Sequence, residues 1–288
     1  MDQSARYVSL GREMPLKPDI VVNGLPLVSV RVTDGIAIVT LQHPSKPNPI
    51  TQPLQKELLS ALRAVSCDPN VRALILTASG KAFCVGADPD EMRDAGESNA
   101  SLGQWTADFM AELTNPIVLS LREMPFPVVC AVNGAAAGAG AGLAMAGDVL
   151  LMATSSYLYL PFVPRLGIVP DLGSTWHLPR RLGRQRATAM TLLGTRLAAD
   201  QAVQWGVAWA SAPDTTLMDE ARAIATQLSR IPPGAALEVR RAFDASERND
   251  FAQQLEYERG RQLELIDSPA FAEGVRAFLQ KREPQFRA

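Results

Sequence analysis

The sequence predicts an α/β fold of repeated strand–strand–helix units closed by a helical final third. Three observations carry this. Short apolar runs of the buried-strand kind, at 71–77 and 127–132, each lead through a glycine-rich loop toward a helical stretch. A β-hairpin precedes them, and from Thr215 onward the pattern is almost entirely helical. With 288 residues, 47% hydrophobic and 20% charged, the chain can bury a sizeable core in one or two domains, and neither disorder nor collagen fits.

In order, residues 1–27 mix charges with three prolines and have no apolar run after a basic start, so they read as an extension and not as a signal peptide. Val28, Val30 and Val32 alternate with Ser29 and Arg31, Asp34-Gly35 supplies a turn, and 36–41 resumes as strand. Helical spacing of Leu54, Leu58, Leu62 and Val65 predicts a helix over 51–65. After the strand at 71–77, a loop at 80–88 leads to a helix expected over 104–122. A strand at 127–132 is followed by a short helix near 142–147 and strands at 149–154 and 157–160. Asp214, Pro233 and Ser268 fall near helix starts, with Pro269 in a first turn. The expected division is an extension (1–27), a core (28–210) and a C-terminal helical module (211–288).

Lys plus Arg (28) nearly balance Asp plus Glu (30), so no basic field exists to attract nucleic acid. Cys67, Cys84 and Cys130 form no C-x-x-C pair; this argues against disulfides and zinc and fits a reducing cytoplasm. The low-charge stretch at 125–151 is rich in Gly and Ala and poor in Leu and Ile, so no membrane span is expected.

Two strand-to-helix junctions could carry chemistry: 80–88 (GKAFCVGAD) and 133–142 (NGAAAGAGAG). Small residues there let a ligand approach the backbone, and each junction could donate one N–H to a developing oxyanion; tight turn packing is the plainer alternative for either alone. A dinucleotide fingerprint fails because Leu143 stands at its third glycine. Phosphate-loop, nucleophile-elbow and zinc-helix motifs are missing.

Taken together, the A-F-C-x-G-A-D run and the later P-V-V-C-A-V-N-G-x-x-x-G-x-G run resemble the crotonase superfamily, the enoyl-CoA hydratase/isomerase fold. The segment Asn48-Pro49-Ile50 and the terminal E-G-V-R-A-F-L-Q-K-R at 273–282 extend the resemblance over 28–288. It implies a crotonase-type spiral of ββα units with a C-terminal helical trimerisation module, forming a homotrimer or a dimer of trimers. The implied ligand is an acyl-CoA thioester whose carbonyl oxygen lies between the N–H groups of Ala87 and Ala139, in loops that include Val85, Gly86 and Gly138. Coenzyme A is then part of the substrate, and no metal or redox cofactor is implied. Lys46, Lys281 and Phe278 become coenzyme A contacts by resemblance, the last two on a neighbouring subunit's ligand.

The family's two hydratase glutamates fall on Gly142 and Val163, neither of which can move a proton. Asp171, in V-P-D-L-G-S-T-W-H-L-P-R, resembles the acid of the ring 1,2-epoxyphenylacetyl-CoA isomerase branch. Locally, an Asp between Pro and Gly is a turn or cap residue; the resemblance makes it the proton carrier. The expected activity is isomerisation of an unsaturated or ring-containing acyl-CoA in a pocket widened by Gly142 and Ala135–Ala137. Alternatives are a hydratase or hydrolase using Asp90, Glu91 or Asp94, and an inert acyl-CoA-binding subunit. Asp88 reads as a helix N-cap, Cys84 and His177 as packed side chains, and Arg180, Arg181, Arg184 and Arg186 as a solvated face.

Overall fold

The structure, a computed structural model, describes residues 21–22, 25–43, 45–98 and 101–286. Most of the expected 1–27 extension lies outside the described residues. Strands β1 (Val21–Val22) and β2 (Leu25–Pro26) form a small antiparallel ribbon. Strands β3 (Val28–Thr33) and β4 (Ile36–Leu41) form the expected hairpin, with Asp34 (φ 51°) and Gly35 (φ 76°) left-handed at its turn.

Helix α1 (Gln52–Cys67) starts where Thr51 accepts the Leu54 N–H, and it buries Leu54, Leu58, Leu62 and Val65. The next turn of the spiral comprises β5 (Ala73–Ala78), β6 (Ala82–Cys84), α2 (Pro89–Ser98), α3 (Leu102–Phe109), a π turn (Met110–Thr114) and α4 (Asn115–Arg122). The following one holds β7 (Val128–Val132), β8 (Ala135–Ala137) and α5 (Ala139–Met145). Then come β9 (Val149–Ala153), β10 (Tyr157–Tyr159), a second π turn (Phe162–Leu166), α6 (Ser174–Leu182) and α7 (Arg184–Leu193). Strand β11 (Arg196–Ala198), α8 (Ala199–Gln204) and β12 (Ala210–Ala212) complete the core; α9 (Leu217–Leu228), α10 (Ala235–Ser246), α11 (Phe251–Ile266) and α12 (Pro269–Leu279) follow.

The longer strands, with the short β12 at one edge, join a six-stranded sheet, ordered β12-β9-β7-β5-β4-β3, parallel except for the β3–β4 hairpin. Short strands join a second sheet, ordered β11-β10-β8-β6. Its inner strands β4, β5, β7 and β9 are buried on both faces, which explains their nearly uninterrupted apolar runs, whereas the edge strand β3 alternates and leaves Val30 and Val32 exposed. On β7, Val128, Cys130 and Val132 enter the main core, whereas Val129 and Ala131 enter a second cluster sealed by Leu217, Ala221 and Ala225 of α9.

Two expectations are corrected. The single helix over 104–122 is interrupted by the π turn, where the Asn115 N–H bonds the Met110 carbonyl and Pro116, without an N–H, follows. The short helix expected near 142–147 spans Ala139–Met145, because Gly138 (φ 54°, ψ −128°) supplies a non-helical residue just ahead of Ala139. Asp214, near the start of α9 as expected, accepts from Thr154 and Ser155.

The last helices pack lightly. Arg240 of α10 clamps the core through Asp148 and the carbonyls of Arg122, Met124 and Phe126. Beyond it α11 buries no residue, and Phe251 (80%) and Phe278 (83%) are exposed. Among the described residues, no helix is long and apolar enough to cross a membrane.

Candidate active site

The loop after β6 is organised by the segment 48–50. Asn48, buried and left-handed (φ 55°), donates to the carbonyls of Ser79 (3.0 Å) and Ala82 (2.9 Å) and accepts the His43 N–H (2.8 Å). The Ile50 N–H then holds the Gly86 carbonyl at 2.8 Å. Because a trans peptide directs its C=O and N–H to opposite sides, this bond turns the Ala87 N–H away from Ile50.

The second loop meets the first at Gly86. A Cβ built on Gly86 would stand 3.1 Å from the Ala137 carbonyl and 3.3 Å from the Ala139 nitrogen, and its φ of 87° suits glycine. One on Gly138 would reach the Val85 carbonyl at 4.0 Å, so Val85, Gly86 and Gly138 form the contact between the loops. The Gly138 carbonyl accepts the Ala141 N–H inside the first turn of α5, so the Ala139 N–H points out of the helix start. Ala87 and Ala139 line one cavity. Neither amide donates a hydrogen bond among the described residues.

Asp171 lines that cavity too, beside Ile50, Met92, Met110 and Leu172. It is carried on a turn in which Leu172 (φ 46°) and Gly173 (φ 75°) are both left-handed and the Ser174 N–H returns to the Asp171 carbonyl at 2.9 Å. Its Oδ1 is buried with no hydrogen-bond partner. Burial among apolar groups pushes its carboxyl up to about 6.

Gly142 does not open the pocket. A Cβ there would lie 2.6 Å from Leu172 Cβ, 2.7 Å from the Leu172 carbonyl and 2.9 Å from Ser174 Oγ. The missing side chain lets the Asp171 turn press onto the α5 backbone, so the widening expected from Gly142 is corrected: that space is filled. The cavity measures about 60 Å³, well below the ~150 Å³ of an apolar cavity that holds benzene.

Of Asp90, Glu91 and Asp94, only Glu91 lines the cavity, where Asp88 also lies. Both carboxylate oxygens of Glu91 accept the Gln52 N–H at the start of α1 (3.0 and 3.2 Å), and burial raises its pKa. Asp90 and Asp94 face solvent in ion pairs with Lys46 and Arg93. Asp88 caps α2 by accepting the Asp90 N–H and pairs with Lys46 Nζ. Lys46 also lines a surface groove with His43, Gly80 and Lys81. Val163 lies in the second π turn, outside the cavity lining. Phe278 and Lys281 stand exposed at the end of α12, away from this chain's own cavity.

Cys84 and Cys130 are buried, and burial pushes both thiols up to about 12. Burial, then the charges of Arg181, Arg122 and Arg180, lower His177 to about 3. The solvated arginine face is corrected in part: Arg181 turns inward to the Met145 carbonyl (2.7 Å), and Arg180 pairs with Glu247 and covers the Trp176 ring. Sequence reasoning missed Lys81, Trp105 and Phe109. The two aromatic residues were detectable as an i, i+4 pair on the helix after the first loop.

Residues 31–288 match the family model described as enoyl-CoA hydratase/isomerase. The chain belongs to the enoyl-CoA hydratase/isomerase family. It is 39% identical to the 1,2-epoxyphenylacetyl-CoA isomerase of Escherichia coli (strain K12) over 256 residues, 88% of this chain and 96% of that protein. It is 38% identical to the protein named "Probable enoyl-CoA hydratase" of Rhodobacter capsulatus over 259 residues, 90% and 97% of the two chains. Among solved enoyl-CoA hydratase/isomerase family structures, the enoyl-CoA hydratase from Polaromonas sp. JS666 superposes with a TM-score of 0.83 at 28% identity, covering 90% of this chain and 99% of that one. The enoyl-CoA hydratase from Bacillus anthracis gives 0.82 at 28% identity, covering 91% and 99%. These likenesses identify the observed two-sheet spiral as the crotonase fold.

Proposed function

We propose that this family member is an acyl-CoA isomerase acting on an unsaturated or ring-containing acyl group. The observation that carries the reading is the partnerless, buried Oδ1 of Asp171 on the cavity that Ala87 and Ala139 also line. In this mechanism the Asp171 carboxylate takes a proton from a carbon acidified by the thioester. The released electron pair moves onto the thioester oxygen, where the N–H groups of Ala87 and Ala139 stabilise the enolate. Return of the proton at another carbon shifts the double bond, and a raised carboxyl pKa suits a group that must both accept and release it near neutrality. The likeness to an epoxyphenylacetyl-CoA isomerase supports this choice.

Coenzyme A is part of the substrate, and we place its head along the groove of Lys46 and Lys81. Phe278 and Lys281 are assigned to a neighbouring subunit's ligand in a trimer or dimer of trimers, which would also cover the exposed apolar side chains of α11 and α12. A cytoplasmic setting suits the unpaired cysteines.

The test is solvent deuterium incorporation across a panel of acyl-CoA thioesters. Exchange accompanied by an isomeric product supports the reading; binding without exchange would make the protein an acyl-CoA-binding subunit. A hydratase reading is favoured by one observation, Glu91 on the cavity wall, and product analysis with crotonyl-CoA separates the two.

A further inference from the structure

The acyl cavity has an aromatic wall that nothing in the proton chemistry requires. Trp105 and Phe109, one turn apart on α3, lie with ring centroids 5.2 Å apart and planes 10° from parallel. Both line the cavity that holds Ala87, Ala139 and Asp171. Both also line a second, open groove whose other walls are polar, including Gln52, Gln104, Asp108 and Glu112. The pair therefore divides an apolar acyl chamber from a polar surface groove. Phe109 packs against the main core, whereas the Trp105 indole is held by that stack and makes no hydrogen bond among the described residues.

The chamber is too small as it stands for a six-membered ring, yet its outer wall is lightly held. Helix α3 buries none of its residues completely. It joins α4 through the π turn, where the regular hydrogen-bond ladder is already broken and Pro116 supplies no donor. An acyl group entering from the Asp171 side meets the Trp105–Phe109 stack on the wall of the chamber. Aromatic faces prefer offset stacking on another flat π-system over contact with a puckered ring of the same size.

We infer that the Trp105–Phe109 pair selects the acyl group, favouring thioesters with a planar aromatic or conjugated ring over saturated ones of equal bulk. This rests on the isomerase reading for the placement of the acyl group, but it concerns affinity and not proton transfer. Selectivity of this kind is a difference between two affinities, so its measure is a ratio.

The experiment compares dissociation constants for phenylacetyl-CoA and cyclohexylacetyl-CoA, which differ in ring planarity, for the full-length protein and for Trp105→Ala and Trp105→Phe. The wild-type protein should prefer the planar ligand. Trp105→Ala should lower that preference by about 3- to 10-fold, the range expected for an aromatic pair, and Trp105→Phe should restore most of it. Thermal melts of the three proteins control for folding, and the half-exposed position of Trp105 makes large shifts unexpected. An unchanged ratio in Trp105→Ala, or equal weakening of both ligands, would overturn the selector. Failure of the wild-type protein to bind either thioester would overturn the acyl-CoA reading itself, a result distinct from loss of planarity preference.

Discussion

The Ile50 N–H donates to the Gly86 carbonyl at 2.8 Å. That bond links the start of α1 to the loop whose next residue, Ala87, presents an unused N–H, and it gives the Asn48-Pro49-Ile50 segment a physical purpose. Gly86 is fixed from the other side by the Ala137 carbonyl and Ala139 nitrogen, so the two loops hold each other in place.

Gly86→Ala should therefore damage both donors at once. The added Cβ strains a φ of 87° and presses on the Ala139 amide. We expect turnover to fall by about 10²–10³, as for loss of an oxyanion donor, with the melting temperature lowered only modestly. Steady-state kinetics beside a thermal melt checks this; near-normal turnover would separate the loops' contact from catalysis.

Asp171 should make the fold less stable at neutral pH. Its folded pKa, about 6, lies above the ordinary 3.8, so the folded state binds the proton more tightly than the unfolded chain does. The penalty is absent below about pH 4, grows as pH rises, and is complete above about pH 6, on the order of 3 kcal/mol. Asp171→Asn should raise the melting temperature at pH 7–8 and lose that advantage near pH 4. Melts of both proteins across this range give the answer.

The same carboxyl sets the pH dependence of catalysis. Proton abstraction needs the ionised form, so kcat/KM should rise with pH through about 6 and level off above it. A profile flat from pH 5 to 8 would place the base elsewhere.

Gly142→Glu should not create a hydratase. Even the first carbon of the new side chain would sit 2.6 Å from Leu172 Cβ, and overpacking of this kind costs about 1–3 kcal/mol. The expected result is a less stable protein with weakened isomerisation and no hydration of crotonyl-CoA, measured by product analysis.

The hairpin, α1 and the two junction loops were legible in the sequence because each rests on local chemistry: the Asp34-Gly35 turn, the Leu54 to Val65 spacing, the glycines at 86 and 138. The π turn was not, since its cause combines Pro116 with packing against α1, where Thr114 donates to buried Gln55 at 2.6 Å. Gly142 was misread because an absent side chain looks like free space until the chain that fills it, Leu172, is placed. Asp90, Glu91 and Asp94 were indistinguishable as letters; only the helix phase of α2 turns Glu91 inward and leaves the others with Lys46 and Arg93. Trp105 and Phe109 were missed because the chamber they wall off also needs Ile50, Ala139, Asp171 and Leu172, which lie far from them in the chain.

The central claim is that Asp171 moves the proton while the Ala87 and Ala139 amides hold the charge. The most direct measurement is the rate of deuterium incorporation from solvent into a bound acyl-CoA that the wild-type protein isomerises, compared with Asp171→Asn. The account predicts exchange in the wild type, a loss of at least ~10²-fold in the variant, and thioester affinity nearly unchanged because both amides remain. Exchange at the wild-type rate in Asp171→Asn would contradict it.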